Sequence, residues 1–214
     1  MKKFKYVMIG ALSSAVLATC IVAPTLAWLS SKSDEVVNTF DGGEIRVKMD
    51  EAKVDKDGKK LPSEPRVTEN TYKFVAGSEL DKDPTPTVLK GSISAYVFVN
   101  LKNDNPDVFS VDIQNKWAKV AQKDGQSLYV YKTKVDASDA DKDVTLDPLF
   151  TKVTVATTLT SEQLAAMKEV NDKQFIKTQT YAVQSQVITN NAAIDQAAAE
   201  FGYADTDVTY VTVN

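Results

Sequence analysis

Apolar and polar residues alternate along much of this chain with a period of two, which is typical of half-buried β-strands. Ile45, Val47 and Met49 alternate with charged residues in this way. The stretch 94–102 is instead apolar on both faces at its centre, and it therefore predicts a strand inside a sheet. Further strands are predicted around Phe150, Val153 and Val155, at 178–188 and at 207–213.

A β-hairpin is predicted where two apolar stretches flank an Asp-Gly pair. The stretches are 117–120 and 128–131, and the pair is Asp124-Gly125. Asp-Gly is favoured in two-residue turns whose residues both have positive φ. Short strands joined by turns rich in Asp, Gly, Pro and Asn predict an all-β fold, a jelly-roll-like β-sandwich. Trp117, at the start of the hairpin, is expected in the core.

Two short accessory helices are expected to cover edges of this sandwich. The first occupies the ten residues after Thr160, because Thr160 and Gln163 have the spacing of a capping box. The second is alanine-rich and runs to Phe201, with Asn190 or Asn191 as its N-cap and a glycine as its stop. Both predictions rest on local capping patterns and short apolar faces.

The N-terminal region has the pattern of a secretion signal. Three lysines lie among the first five residues, and no charged residue follows from Tyr6 to Leu29. A basic head, an apolar helix and small residues before a cut define such a signal, so cleavage is predicted between Ala27 and Trp28. An uncleaved membrane anchor is the alternative, since about 20 apolar residues can span a bilayer.

The predicted organisation is a signal peptide at 1–27, an N-terminal extension at 28–35 and a β-sandwich domain at 36–214. The only cysteine, Cys20, lies inside the signal. A lipoprotein is disfavoured because Thr19 precedes it and apolar residues follow. The exported chain then has no disulfide, so its core or its assembly with neighbours must hold it.

Charge and composition exclude several classes of function. The 22 basic and 29 acidic residues that follow the signal give a net charge of −7. An acidic surface argues against nucleic acid and anionic membrane as partners, so membrane contact is expected only through the signal. The chain has no histidine. Without histidine or an exported cysteine, the usual acid–base and nucleophilic sites are missing, so no catalytic residues are expected.

One stretch of acidic residues could bind calcium. Asp139, Asp141 and Asp143 place carboxylates at alternate positions, with Asp136 and Asp147 nearby. Ca²⁺ takes oxygen ligands of this kind. The alternative is a set of solvated turns whose acids bind no ion. No other cofactor is predicted.

Three stretches of the chain form a recognisable pattern of order and spacing. The first is Thr-Leu-Ala-Trp-Leu-Ser-Ser at 25–31, followed by Val-Val-Asn-Thr-Phe at 36–40 and Gly-Glu-Ile-Arg-Val at 43–47. The second is Tyr-Lys-Phe-Val-Ala-Gly at 72–77 with Lys-Asp-Pro-Thr at 82–85. The third is Leu149-Phe150 with the Tyr-Ala-Val-Gln of 181–184. Together these stretches resemble the TasA/camelysin family of exported Gram-positive proteins, and they cover about half of the chain that follows the signal.

The resemblance implies a jelly-roll subunit of extracellular biofilm-matrix fibres, processed by a SipW-type signal peptidase. It implies self-assembly by donor-strand exchange, and an accessory matrix protein is an expected further partner. The donor would be the exported N-terminus, which is polar in its middle and apolar towards its ends, at Trp28, Leu29, Val36, Val37 and Phe40. Such a strand pairs with a neighbour's exposed sheet edge and gives filaments because the contact is head-to-tail.

Metalloprotease activity is disfavoured, and one stretch departs from the family's pattern. The camelysin branch is described as metalloprotease-like, but this chain has no histidine for a zinc site. The insert 51–70 departs from the family's pattern and could obstruct or decorate a subunit junction. The alternative is a monomeric cell-surface module that binds polysaccharide or a host protein, in which 28–35 is an unstructured stub.

Overall fold

The structure is a computed structural model that describes residues 30–32, 43–160, 162–163 and 176–214. These residues form eleven β-strands, one α-helix and one short 3-10 helix. The strands in chain order are β1 Ser30–Lys32, β2 Val47–Asp50, β3 Glu79–Asp81, β4 Thr85–Val88, β5 Ala95–Asn103, β6 Phe109–Val111, β7 Trp117–Lys123, β8 Gln126–Tyr131, β9 Val144–Thr145, β10 Lys152–Val155 and β11 Ile176–Gln184. The helix is α1 Asn190–Glu200, and the 3-10 helix is Asp205–Asp207.

The strands form three sheets, and every strand pair is antiparallel. A five-stranded sheet has the order β1-β11-β5-β8-β7, and two three-stranded sheets have the orders β3-β10-β6 and β2-β4-β9. The predicted all-β class is confirmed at this level. One helix of eleven residues covers the sheet, and among the described residues no helix is long and apolar enough to cross a lipid bilayer.

Strand β5 lies in the middle of the large sheet, as its two-faced apolar pattern predicted. Val97 and Val99 are fully buried on one face, and Tyr96 and Phe98 are buried on the other. The first face packs against the two small sheets, whereas the second packs against α1 and residues near 203–213. The large sheet is therefore the central layer, with an apolar core on each side.

The hairpin β7–β8 confirms the Asp-Gly turn prediction. Asp124 and Gly125 have φ values of 44° and 75°. A Cβ on Gly125 would lie 2.9 Å from the carbonyl oxygen of Asn103, so the position needs glycine for space as well as conformation. Trp117 is buried as predicted, and its Nε1 donates to the carbonyl oxygen of Asp147 at 3.2 Å.

The helix predictions hold in part. Helix α1 is present and Gly202 follows it with φ 76°, but its N-cap is Thr189 and not Asn190 or Asn191. The hydroxyl of Thr189 accepts the N–H of Ala192 at 3.3 Å, while the Asn190 amide donates to the carbonyl oxygen of Val211. Asn190 is thus used for a tertiary contact, which the local capping pattern does not reveal.

The capping box of the first predicted helix is present. The N–H of Gln163 donates to the Thr160 hydroxyl at 3.2 Å, and the N–H of Thr160 donates to the Gln163 side chain at 2.8 Å. Residues 162–163 are helical. The rest of the predicted helix, like the predicted signal peptide at 1–27, lies outside the described residues.

The predicted strand at 207–213 is wrong. Residues 205–207 form a 3-10 turn in which the Asp207 carboxylate accepts the N–H of Ala204 at 2.8 Å. The chain then follows β7 through separated contacts, such as Thr209 N–H to the Val120 carbonyl at 2.7 Å. Val213 inserts into the core under α1. The turn and this insertion prevent a continuous ladder, although the apolar alternation resembles that of a strand.

Candidate assembly edge

Strand β1 forms one edge of the five-stranded sheet, and it comes from the predicted N-terminal extension. Ser30, Ser31 and Lys32 pair with Val183, Ala182 and Tyr181 of the same chain. The segment therefore occupies a sheet edge in the way a donor strand does. Here it does so within its own chain.

The strand that receives β1 is built firmly into the fold. Strand β11 pairs with β5 over all nine of its residues, whereas β1 pairs with three of them. Tyr181 and Val183 are buried in the core under α1, and Ala182 is buried in the other core. The Thr180 hydroxyl also donates to the Phe98 carbonyl at 2.9 Å. The acceptor is consequently fixed by both cores, and β1 adds main-chain pairing at its outer side.

The residues predicted to anchor the donor lie outside the described residues. These residues, together with the predicted cleavage position, are Ala27, Trp28, Leu29, Val36, Val37 and Phe40. The structure places the polar middle of the segment, Ser30–Lys32, at the edge. Sequence reasoning did not predict this register, because Ser-Ser-Lys has little strand propensity and no alternation.

The Lys-Asp-Pro-Thr stretch of the family resemblance anchors the insert 51–70. Asp83 is buried and accepts the N–H of Ala52 at 2.7 Å. Lys60 and Arg66, both in the insert, lie 2.9 and 3.3 Å from its other carboxylate oxygen. Arg66 also donates to the Thr85 hydroxyl at 2.8 Å. The insert is therefore held to the start of β4 by two partly exposed cations that share the buried carboxylate of Asp83.

The electrostatics of this anchor favour the charged form of Asp83. Burial alone would raise the pKa of Asp83, but hydrogen bonds from Ala52, Lys60 and Arg66 outweigh it and hold the pKa below its usual value. Arg66 is shared with Asp50, whose carboxylate lies 2.5 Å from the guanidinium. Asp50 ends β2, so the strand that leads into the insert is one that contacts β1 and β11.

The predicted calcium ligands are exposed and are not drawn together. Asp139 and Asp141 are exposed, and the Asp143 carboxylate accepts the N–H of Lys90 at 3.1 Å. Asp136 accepts the hydroxyl of Ser138 at 2.7 Å, and Asp147 accepts that of Tyr131 at 2.5 Å. Across the described ranges, no group of three or more Asp, Glu, Cys or His side chains could hold a metal ion. Calcium binding stays a prediction from the sequence.

Comparison of the chain with models of protein families, with curated proteins and with solved structures finds no match. The function of the chain is therefore inferred from its own residues and contacts.

Proposed function

We propose that this protein is a secreted structural subunit of extracellular matrix fibres, with a jelly-roll-like sandwich that assembles by donor-strand exchange. The observation that carries the proposal is the position of Ser30–Lys32 at the outer side of β11. A segment that pairs mainly through its backbone can leave its own sheet and pair with an identical edge of a second copy. Such an exchange of an identical element between copies is domain swapping, and head-to-tail repetition of the contact produces filaments.

The chain provides the length that such an exchange needs. Ten residues separate Lys32 from Gly43. Because an extended chain advances about 3.3 to 3.6 Å per residue, ten residues can bridge roughly 30 Å or more between neighbouring subunits. Export through the predicted signal would release the donor from the membrane, and the apolar residues on either side of Ser30–Lys32 would fill pockets along the acceptor strand.

The second candidate is a monomeric cell-surface module that binds polysaccharide or a host protein. It is favoured by the same pairing, because β1 already completes the edge of its own sheet. A closed monomer of this kind has no need of a neighbour. The two candidates therefore differ in whether the Ser31–Ala182 pair forms within one chain only or also between chains.

Single cysteines at this pair separate the two candidates. The chain beginning at Trp28 contains no native cysteine. Protein carrying Ser31→Cys is mixed with protein carrying Ala182→Cys under mild oxidation, and disulfide-linked pairs are read on a non-reducing gel. We expect linked pairs, because in a fibre these residues lie opposite each other across two subunits. The control mixes protein carrying Ser31→Cys with protein carrying Thr145→Cys under the same oxidation, because Thr145 lies on a different sheet.

The doubly substituted protein completes the experiment. If the fibre forms by exchange, Ser31→Cys/Ala182→Cys oxidised within assembled material gives a ladder of linked subunits that reducing agent removes. If every molecule remains a linked monomer, and the two single variants never cross-link, the binding-module candidate replaces the fibre. Electron microscopy of the unsubstituted chain shows directly whether filaments are present.

A further inference from the structure

Three polar side chains lie together where the insert meets β3, and neither assembly nor binding uses them. They are Glu51, Asn70 and Lys82, called here the Glu51 triad. Lys82 Nζ lies 2.5 Å from one carboxylate oxygen of Glu51. Asn70 Nδ2 donates to the other carboxylate oxygen at 2.9 Å. One carboxylate thus holds an amine and a carboxamide at the same time.

The triad is largely shielded from water. The side chains of Glu51 and Lys82 are 6% and 13% exposed. The Lys82 ammonium also faces the ring of Tyr72, with 5.8 Å between nitrogen and ring centroid. The Glu51 carboxylate is therefore placed to accept one proton from the Lys82 ammonium across their hydrogen bond during a reaction. The product is a neutral amine, which is the nucleophilic form of lysine.

The Asn70 carboxamide is held in one orientation. Its oxygen accepts the N–H of Val54 at 3.1 Å, and its nitrogen donates to the Ala52 carbonyl at 2.8 Å in addition to Glu51. A backbone N–H directed at the carbonyl oxygen stabilises negative charge that develops there when a nucleophile attacks the carbon. The triad therefore combines a nucleophile, a proton carrier and a polarised carbonyl group.

We propose that Lys82 and Asn70 form an intramolecular isopeptide bond, with Glu51 carrying the protons. The Glu51 carboxylate takes a proton from Lys82 Nζ, and the nitrogen lone pair attacks Asn70 Cγ to form a C–N bond. The negative charge passes to Asn70 Oδ1, opposite the Val54 N–H. Glu51 then protonates Nδ2, and the Cγ–Nδ2 bond breaks as the carbonyl re-forms.

One of the two protons left on Nζ passes through Glu51 to the departing ammonia, and the other stays as the N–H of the new amide. The overall change converts a lysine ammonium and an asparagine carboxamide into an amide and one ammonium ion, and Glu51 returns to its carboxylate form. No oxidant, metal or further reactant takes part. This cross-link would join the end of the insert to the residue that follows β3. It supplies a covalent constraint to a sequence whose only cysteine is Cys20.

Mass spectrometry of the purified, denatured protein tests the bond. The intact mass is expected to lie about 17 Da, the mass of one ammonia, below the value calculated for the chain that starts at its N-terminus. Trypsin is expected to spare Lys82 and to release peptides 67–73 and 74–90 as one branched species. Fragmentation of that species should locate the junction at Asn70 and Lys82. Deamidation or cyclisation of an asparagine elsewhere does not join these peptides.

Three variants assign the roles within the triad. Lys82→Arg keeps the charge and removes the nucleophile, and Glu51→Gln keeps both reacting groups and removes the proton carrier. Both variants are expected to lack the deficit of about 17 Da relative to their own calculated masses, and to yield separate peptides. Lys60→Arg is the matched control, because Lys60 pairs with Asp83, and it should retain the linked peptides. Separate 67–73 and 74–82 peptides from the unsubstituted protein would overturn the proposal, whatever the variants do.

Discussion

The candidate edge and the insert 51–70 are both attached to the same antiparallel β-sheets, but by different kinds of interaction. Strand β1 is placed by backbone pairing with three residues of β11. The insert is placed by side chains, above all by Asp83, which bonds to Ala52, Lys60 and Arg66. Backbone pairing accepts almost any sequence and any identical edge, whereas charged side chains grouped around a buried carboxylate accept only their own partners. The edge is therefore suited to exchange between subunits, and the insert is suited to stay in place.

Removal of the donor segment is expected to have the largest effect. Deleting residues 28–35 should leave a folded, soluble monomer, because both cores lie in the residues from 43 onward. The chain that begins at Trp28 should form filaments under the same conditions, as seen by light scattering and electron microscopy. Val37→Asp should also stop assembly, because burying an unpaired carboxylate costs several kcal/mol. Filaments from the deleted chain would show that the edge is not the junction.

Loss of the anchor in the insert should be the next largest effect. Asp83→Ala removes the common partner of Lys60 and Arg66 and is expected to lower the free energy of unfolding by about 2 to 3 kcal/mol in urea denaturation. The matched control is Lys53→Ala, which breaks the exposed pair with Glu64 at 3.2 Å. That change should stay within about 0.5 kcal/mol. Equal effects of the two variants would mean that the insert is not anchored by buried charge.

The opposite edge of the large sheet is fixed by a turn, and this can be tested by substitution of glycine. Gly125→Ala should cost about 1 to 2 kcal/mol, because it combines positive φ with a 2.9 Å approach to the Asn103 carbonyl. Gly202→Ala has a similar φ but no atom within 4 Å of the added carbon. It should cost less, and thermal unfolding of both variants measures the difference. A larger loss at Gly202 would contradict the steric argument.

As the pH falls, the attachment of the insert through Asp83 should weaken before the pairing of β1 with β11 does. Because the pKa of Asp83 is lowered in the folded protein, its contribution to stability is present above the unfolded value near 4 and declines as pH falls through the folded value. The difference in unfolding free energy between the unsubstituted protein and Asp83→Asn should therefore shrink between about pH 5 and pH 3. Strand β1 pairs through backbone groups, so its pairing should respond less. A constant difference across this range would contradict the assignment of Asp83.

Local chemistry in the sequence predicted several elements correctly. The two-faced apolar run at 94–102 is the central strand β5, and Asp124-Gly125 is the hairpin turn. The Thr160 and Gln163 pair forms its capping box. In each case a few neighbouring residues decide the backbone conformation, because burial on both faces, positive φ or a side-chain cap acts over a short distance.

Other features depend on partners that are distant in the chain. The strand predicted at 207–213 is replaced by a turn and by insertion of Val213 into the core, and Asn190 is drawn to Val211 instead of capping its helix. For the candidate edge, the sequence predicted an N-terminal extension with apolar anchors. It did not predict the register of that extension against Tyr181–Val183. Glu51, Asn70 and Lys82 are separated by up to 31 positions. Only the tertiary structure decides such contacts, because sheet register and buried polar pairs follow from which surfaces pack together and not from any local pattern.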